Sequence, residues 1–482
     1  MHDPTNAHVQ ASRVVTLAPR QPESHTTSST AVTGVSATGR LPLSALFLVV
    51  LSYANLWILH HVPGLDWVQQ TLPRVIWFTL LMGYIAITWL PGPSHPRGRA
   101  RRRRLRSLIA FGVIAVNVVL PTLLFIQDRL VSGANAQNII DWPLQIEAGS
   151  RLVLNGQSPY GVDYSFSEMQ AWSIDANFPE NPALRHAIHL PVNFLLGAMT
   201  SPVWEALAGW YDARVLLIAA YLIVVLVSPY LTSGWEEGHA LQIGLALNPI
   251  LVESFVLGLS DYLLLAMIVA FLALRMRGQH RAAAAVLGLA AATRQFGWLL
   301  VPVYLASEWF ALADHAWRDR LRLLTRRLWP LPLVALGVIL PFFLANPRGF
   351  YEDVIAFGSG NIADAYPIGG PHTYGLSVLV LGAGLVDHQG SYFPFGPIQL
   401  LITVPLTVAA VWMQKRDNTI RRMLLSYFLV LSIFLFTGRF MHTNYVGYLF
   451  ALLLLAYFVD ESPHQHSAMI CSGKTRSAER TL

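Results

Sequence analysis

Apolar runs of about 20 residues, each long enough to cross a bilayer, recur along this chain between positions 42 and 459. Inside hydrocarbon the backbone must satisfy its own hydrogen bonds, so such runs have to be helices. The charge content agrees: 12% of the residues are charged and 54% hydrophobic, about half the charge of an ordinary soluble domain. The expected fold is all-α, a multi-pass integral membrane protein. Segments fall near 42–60, 74–91, 107–126, 188–206, 213–231, 239–257, 261–275, 282–307, 329–345, 373–386, 394–413, 423–437 and 444–459. They predict a bundle of about 11–13 transmembrane helices filling residues 41–460. Residues 1–40, rich in Ser, Thr, Ala and Pro without a long apolar run, read as a disordered cytoplasmic tail. Residues 461–482 read as a second cytoplasmic tail.

The formal charge of +6 does not indicate nucleic acid, because the basic residues sit in short clusters between apolar runs. That is the positive-inside pattern. Clusters at Arg97–Arg106, Arg275–Arg281, Arg318–Arg327 and Lys415–Arg422 therefore share one side, and an even number of crossings must separate each pair. The segment list breaks this parity three times. One of the five segments before Arg275 has to be re-entrant or split, 282–307 has to turn near Thr293-Arg294-Gln295, and 373–386 has to stay on the outer face. Half-length helices at membrane depth need protein or a cavity around them, so the parity breaks point to an internal cavity. The alternative is that one basic cluster lies outside.

Two large loops then face outward, from Gln127 to about Arg185 and from Asn346 to about His372, with the turn Arg439-Phe440-Met441-His442-Thr443-Asn444-Tyr445 beside them. In the first loop, Pro143 suits the opening turn of a helix and Asn155-Gly156 its end. Apolar Leu144, Ile146, Leu152 and Val153 alternate there with Gln145, Glu147 and Arg151, a composition suited to lying in the interfacial plane. Asp141 begins this helix. A carboxylate there can take a proton from an attacking hydroxyl; it can equally cap the helix. The other loop acids, Asp163, Glu168, Asp175 and Glu180, read as solvated positions. Tyr160, Tyr164 and Trp172 suit stacking on a sugar or anchoring at the interface.

The second loop is punctuated by Gly and Pro, the pattern of turns, and a loop of that length often serves as a lid. His372 in it can bond a phosphate or shuttle a proton, or be a surface histidine without a role. Ionisable groups at membrane depth cost several kcal/mol unless paired, which singles out Asp261 and Arg294. Arg294 at the hairpin turn can clamp a phosphate or form a salt bridge with Asp261 or Glu253. Arg439 and His442 can meet phosphate or snorkel to the interface.

No Walker, H-E-x-x-H or G-x-S-x-G motif occurs, which disfavours an ATPase, zinc protease or serine hydrolase. The lone Cys471 excludes a disulfide framework and a cysteine metal site. No D-x-D pair for a nucleotide-sugar metal is present either, and no metal or cofactor is expected.

Taken together, Asp141, the run Leu154-Asn155-Gly156-Gln157-Ser158-Pro159-Tyr160, Gly258-Leu259-Ser260-Asp261, Gly288 to Gln295 with Pro302, and Arg439 to Tyr445 resemble the glycosyltransferase-C superfamily. The closer likeness is to its family-87 branch of polyprenyl-phosphate-mannose-dependent mannosyltransferases, over about residues 126–460. The resemblance implies an outer cavity, inverting transfer from a polyprenyl-phosphate sugar, Asp141 as general base and Arg294 facing the donor phosphate. His189-Leu190-Pro191 departs from the family's aromatic-Pro-Pro, Gln145 stands where a Tyr is common, and two extra segments precede the first loop. The expected activity is a membrane mannosyltransferase of bacterial envelope biogenesis, at the outer face of the inner membrane, with a glycolipid or glycan acceptor. Catalytic Asp141 would be joined by substrate-binding Arg294, His372, Arg439, His442, Tyr160 and Asp261. The competing class is a lipid or solute transporter, which would need polar groups along a pathway reaching both faces.

Overall fold

The computed structural model describes residues 41–172, 181–362, 365–369 and 373–460. Both expected tails, with Cys471, and also Asp175, Glu180 and His372 lie outside the described residues. The described residues are mostly helical, with almost no strand. Helices α1 (Leu43–Asn55) and α2 (Trp67–Trp89) come first, α2 opened by a reciprocal cap in which Asp66 and Gln69 each accept the other's backbone N–H. Next, α3 (Pro96–Ile114) runs through a π-turn into α4 (Leu120–Ser132). The first of the two loops expected to face outward, called the outer loops below, holds α5 (Asp141–Leu154) and leads to α6 (Pro191–Ala208). Then follow α7 (Arg214–Val227), α8 (Trp235–Ala246), α9 (Pro249–Leu257), α10 (Asp261–Met276), α11 (His280–Ala291) and α12 (Phe296–Phe310). Helices α13 (Trp317–Leu328) and α14 (Pro330–Ala345) precede the short α15 (Pro347–Tyr351), α16 (Phe357–Ser359) and α17 (Leu376–Gly382) of the second outer loop. The chain closes with α18 (Phe395–Arg416), α19 (Ile420–Thr437) and α20 (Thr443–Phe458). Two-residue strands β1 (Thr373–Tyr374) and β2 (Met441–His442) pair antiparallel and tie the second loop to the turn before α20.

Among the described residues six helices are long and apolar enough to cross a membrane, or up to eight if the bent pairs α8–α9 (47°) and α13–α14 (46°) each count as one span. The expectation of 11–13 counted apolar runs that are shorter. Helices α10, α11, α12 and α20 have 16, 12, 15 and 16 residues, less than a lipid-exposed span needs. Eleven of the 16 residues of α10 are buried and none is exposed, so neighbouring helices rather than lipid surround most of it.

The helices alternate between two poles. At one, Arg106 of α3 pairs with Glu236 of α8 at 2.9 Å, and Ser44 of α1 bonds the same carboxylate. Arg275, His280 and Arg327 all reach Glu308 near the end of α12. Asn418, between α18 and α19, donates to the Ser307 carbonyl, Arg421 to that of Tyr457, and the Asp460 amide to Leu231. All four basic clusters thus gather at one end. At the other end lie the start of α10, the α11–α12 turn at Arg294, the end of α14 and the start of α20. The rise of α10 alone separates them by about 24 Å.

The expected split of 282–307 falls where α11 ends and α12 begins, and 373–386 contributes only the seven-residue α17. The segment that fails to cross before Arg275 is α6. Near its start Asn193 donates to the Thr293 carbonyl, and just after its end Arg214 donates to that of Asn138 in the first outer loop. Both ends therefore meet the same pole, and α6 packs lengthwise on α5. Gly197 permits that approach, because a Cβ there would collide with Ser150.

Candidate functional site

Helix α5 is where expectation and structure part most clearly. Its bounds follow the sequence: Pro143 lies in the first turn, Asn155 closes it, and Gly156 takes a left-handed φ of 71°. Its environment does not. Residues 142–150 are all buried, so the helix is packed inside the protein instead of lying in an interfacial plane. Glu147, which read as part of a polar face, accepts two bonds from Arg129 at 2.7 and 2.8 Å. Arg129 also pairs with Asp212 (2.8 Å), which Arg214 holds from its other side (2.8 Å), and with the half-exposed Glu168 (3.1 Å). This buried network anchors α5 to α4 and α7. Arg214 donates to the Asn138 carbonyl (2.7 Å) and the Ile140 amide to Leu257 (2.9 Å), fixing the approach to Asp141. Gly258, at φ 110°, is required beside it, since any Cβ would run into the Pro143 ring.

Asp141 is the first residue of α5, and the capping position before it belongs to Ile140. The carboxylate is half-buried. It accepts a bond from Asn181 (3.3 Å), and the hydroxyl of Tyr366 in the second outer loop stands beside it. Burial pushes its carboxyl above the ordinary aspartate value, opposed by Asn181, then by the backbone amides of Trp142 and Asp141, and last by the Tyr366 hydroxyl. No cation pairs with it among the described residues. A chain of rings runs from Arg294 over Tyr445 (5.1 Å) to His442 and on to Tyr366, next to Asp141.

Arg294 sits half-buried in the α11–α12 turn. It donates to Asp261 Oδ1 at 2.7 Å, and its guanidinium lies over the rings of Phe296 (4.5 Å) and Tyr445 (5.1 Å). Asp261, 2% exposed at the start of α10, takes a second bond from Asn444 at 2.7 Å. The salt bridge weighed for Arg294 therefore goes to Asp261, while Glu253 is exposed. A single bond to Asp261 leaves the remaining guanidinium donors for a ligand. His189 stands near Arg294 and edge-on to Trp142 at 6.1 Å. Burial, and then the positive charge of Arg294, hold its imidazole down to about 3, so it is neutral at physiological pH.

The remaining expected residues take other places. Tyr160 is fully buried, its hydroxyl donating to the His189 carbonyl (2.7 Å) and its ring wedged among Phe194, Phe342 and Phe350. Tyr164 and Trp172 are buried too, bonded to the carbonyls of Pro159 and Ile139. These aromatics are the loop's own core, neither stacking surfaces nor interfacial anchors. Arg439 is 2% exposed and donates to the carbonyls of Tyr366 and Ser391. Burial lowers its guanidinium to about 10. It acts on the site indirectly, by fixing the loop that carries Tyr366. His442 is half-buried against the rings of Tyr366, Phe440 and Tyr445. Asp163 is solvated and held by Ser165 in its own turn.

Sequence reading passed over Asn181, His189, Tyr366, Asn444, Tyr445 and Asp353. Asp353 is buried, accepts from the Gly161 amide (2.8 Å) and pairs with His186 (2.9 Å), joining the two outer loops. Asn444 and Tyr445 close the turn already singled out at Arg439, which was the one available signal for them.

Compared with protein-family models, curated proteins and solved structures, the chain matches none.

Proposed function

We propose that this protein is an integral-membrane glycosyltransferase of the glycosyltransferase-C type, with family 87 as its nearest likeness. It transfers a sugar, mannose in our reading, from a polyprenyl-phosphate donor to a glycolipid or glycan acceptor on the outer face of a bacterial inner membrane. The observation that carries the reading is Asp141: a half-open carboxylate without a counter-cation, raised by burial, at the pole opposite every basic cluster. A group so placed is suited to accept a proton from an alcohol. The acceptor oxygen then bonds to the anomeric carbon as the sugar–phosphate bond breaks. Its electron pair leaves with the polyprenyl phosphate, and the unused donors of Arg294 face the charge that develops there. Asp261 and the rings of Phe296 and Tyr445 orient that guanidinium, and neutral His189 adds no competing charge.

Carboxylates and arginines collect at the two poles, while α10 between them is apolar from Tyr262 to Leu274. That distribution favours the enzyme over a transporter, which needs polar groups along its path. A donor-by-acceptor screen on the purified, lipid-reconstituted protein, with mass detection of product, tests the reading. A new glycosidic product from a polyprenyl-phosphate sugar is expected. Movement of lipid or solute across liposomes without any such product would replace it with the transporter.

A further inference from the structure

Helix α13 takes no part in the site above and lies at the opposite pole. Its side chains divide cleanly. Leu323, Leu324, Leu328 and Arg327 face the protein, Arg327 reaching Glu308 at 3.2 Å, and Arg320 turns back onto the carbonyls of Ala313 and His315. The outward surface carries two rows at the four-residue spacing that aligns helix side chains. One is Trp317, Leu321, Thr325 and Trp329; the other is Arg318, Arg322 and Arg326, and all seven residues are exposed. They line a single shallow groove of about 540 Å³. Among the described residues no carboxylate pairs with the three arginines.

The apolar row continues past the 46° bend into α14, whose Leu333, Leu336, Leu340 and Leu344 are exposed along one side. A strip that begins as tryptophan beside arginine and ends as continuous leucine matches the transition from headgroup layer to acyl chains. We propose that the outer face of α13 is a binding site for anionic phospholipid, with Arg318, Arg322 and Arg326 on the headgroup phosphate and Trp317, Leu321 and Trp329 against the upper acyl chain. Arginine suits this role because its planar fork pairs with phosphate oxygens bidentately. The site is independent of the proposed transferase chemistry.

The test uses the full-length protein, delipidated in a neutral detergent and titrated with phosphatidylglycerol or phosphatidylcholine, with bound lipid counted by native mass spectrometry. Each arginine near an anionic surface is worth about fivefold in affinity. The triple variant R318Q/R322Q/R326Q should therefore bind phosphatidylglycerol about a hundredfold more weakly, while R318K/R322K/R326K, which keeps the charge, stays within about tenfold of wild type. Competition by millimolar inorganic phosphate should displace little lipid, because it lacks the chain that Trp317 and Leu321 contact. Equal affinity for both lipids, an unaltered triple-glutamine variant, or full displacement by inorganic phosphate would each overturn the proposal.

Discussion

Two buried or half-buried carboxylates, one at each pole, show how differently this protein treats the same group. Glu308 is 0% exposed and receives Arg275, His280 and Arg327 at 2.6 to 3.2 Å. Both of its oxygens are engaged by these partners. Asp141 accepts from neutral Asn181, has the Tyr366 hydroxyl beside it, and keeps open surface. The first arrangement locks α10, α11, α12 and α13 together; the second leaves the proposed base open. Asp261 lies between these extremes, buried and paired with one cation that itself keeps donors to spare. Placement of cations, more than depth of burial, separates this structural acid from the carboxylate proposed as base.

Three substitutions would break or sharpen that contrast. The largest effect is expected for Asp141→Asn. It should lower transfer from a polyprenyl-phosphate sugar by about 10²–10⁴-fold and leave the melting temperature unchanged, since no ion pair is lost; unchanged turnover would remove Asp141 as base. Glu308→Gln should do the reverse. Leaving Arg275 and Arg327 around a neutral amide costs about 3–5 kcal/mol, read as a lower melting temperature, while turnover per folded molecule stays at the wild-type level. A loss of turnover without loss of stability would place Glu308 in the reaction and end the contrast. The smallest effect is expected for Tyr366→Phe. Its hydroxyl opposes the rise in the Asp141 pKa, so removing it raises that pKa further. The base works deprotonated, so the rising acid limb of the rate–pH profile should move to higher pH. A limb that stays put or moves down would show that Tyr366 does not set the charge on Asp141.

Much of the framework was legible because hydrophobic length and basic clusters are local properties. The ends of α5 followed from Pro143 and Asn155-Gly156, and the break between α11 and α12 followed from Arg294 standing in an apolar run. Parity alone required one segment to turn back, but not which one; contacts identify α6. The environment of α5 was misread because its Gln145, Glu147 and Arg151 looked like a water-facing side. Glu147 instead meets Arg129 and Gln145 the carbonyls of Ala183 and His186, partners 18 to 41 residues away that no local pattern announces. Tyr160 was misplaced for the same reason: an aromatic in a polar loop looks available until Phe194, Phe342 and Phe350 close around it.

The amino-acid order by itself settled that this is a helical membrane protein with two substantial loops on one side, because bilayer crossing requires only a continuous apolar length. It also marked Asp141, Asp261 and Arg294 as costly charges in need of partners. Which partners they found was decided by the tertiary structure. Asn181 and Asn444 reach Asp141 and Asp261 across 40 and 183 positions of chain, and hydrogen bonds at such separations form only once the packed helices bring distant loops to one pole.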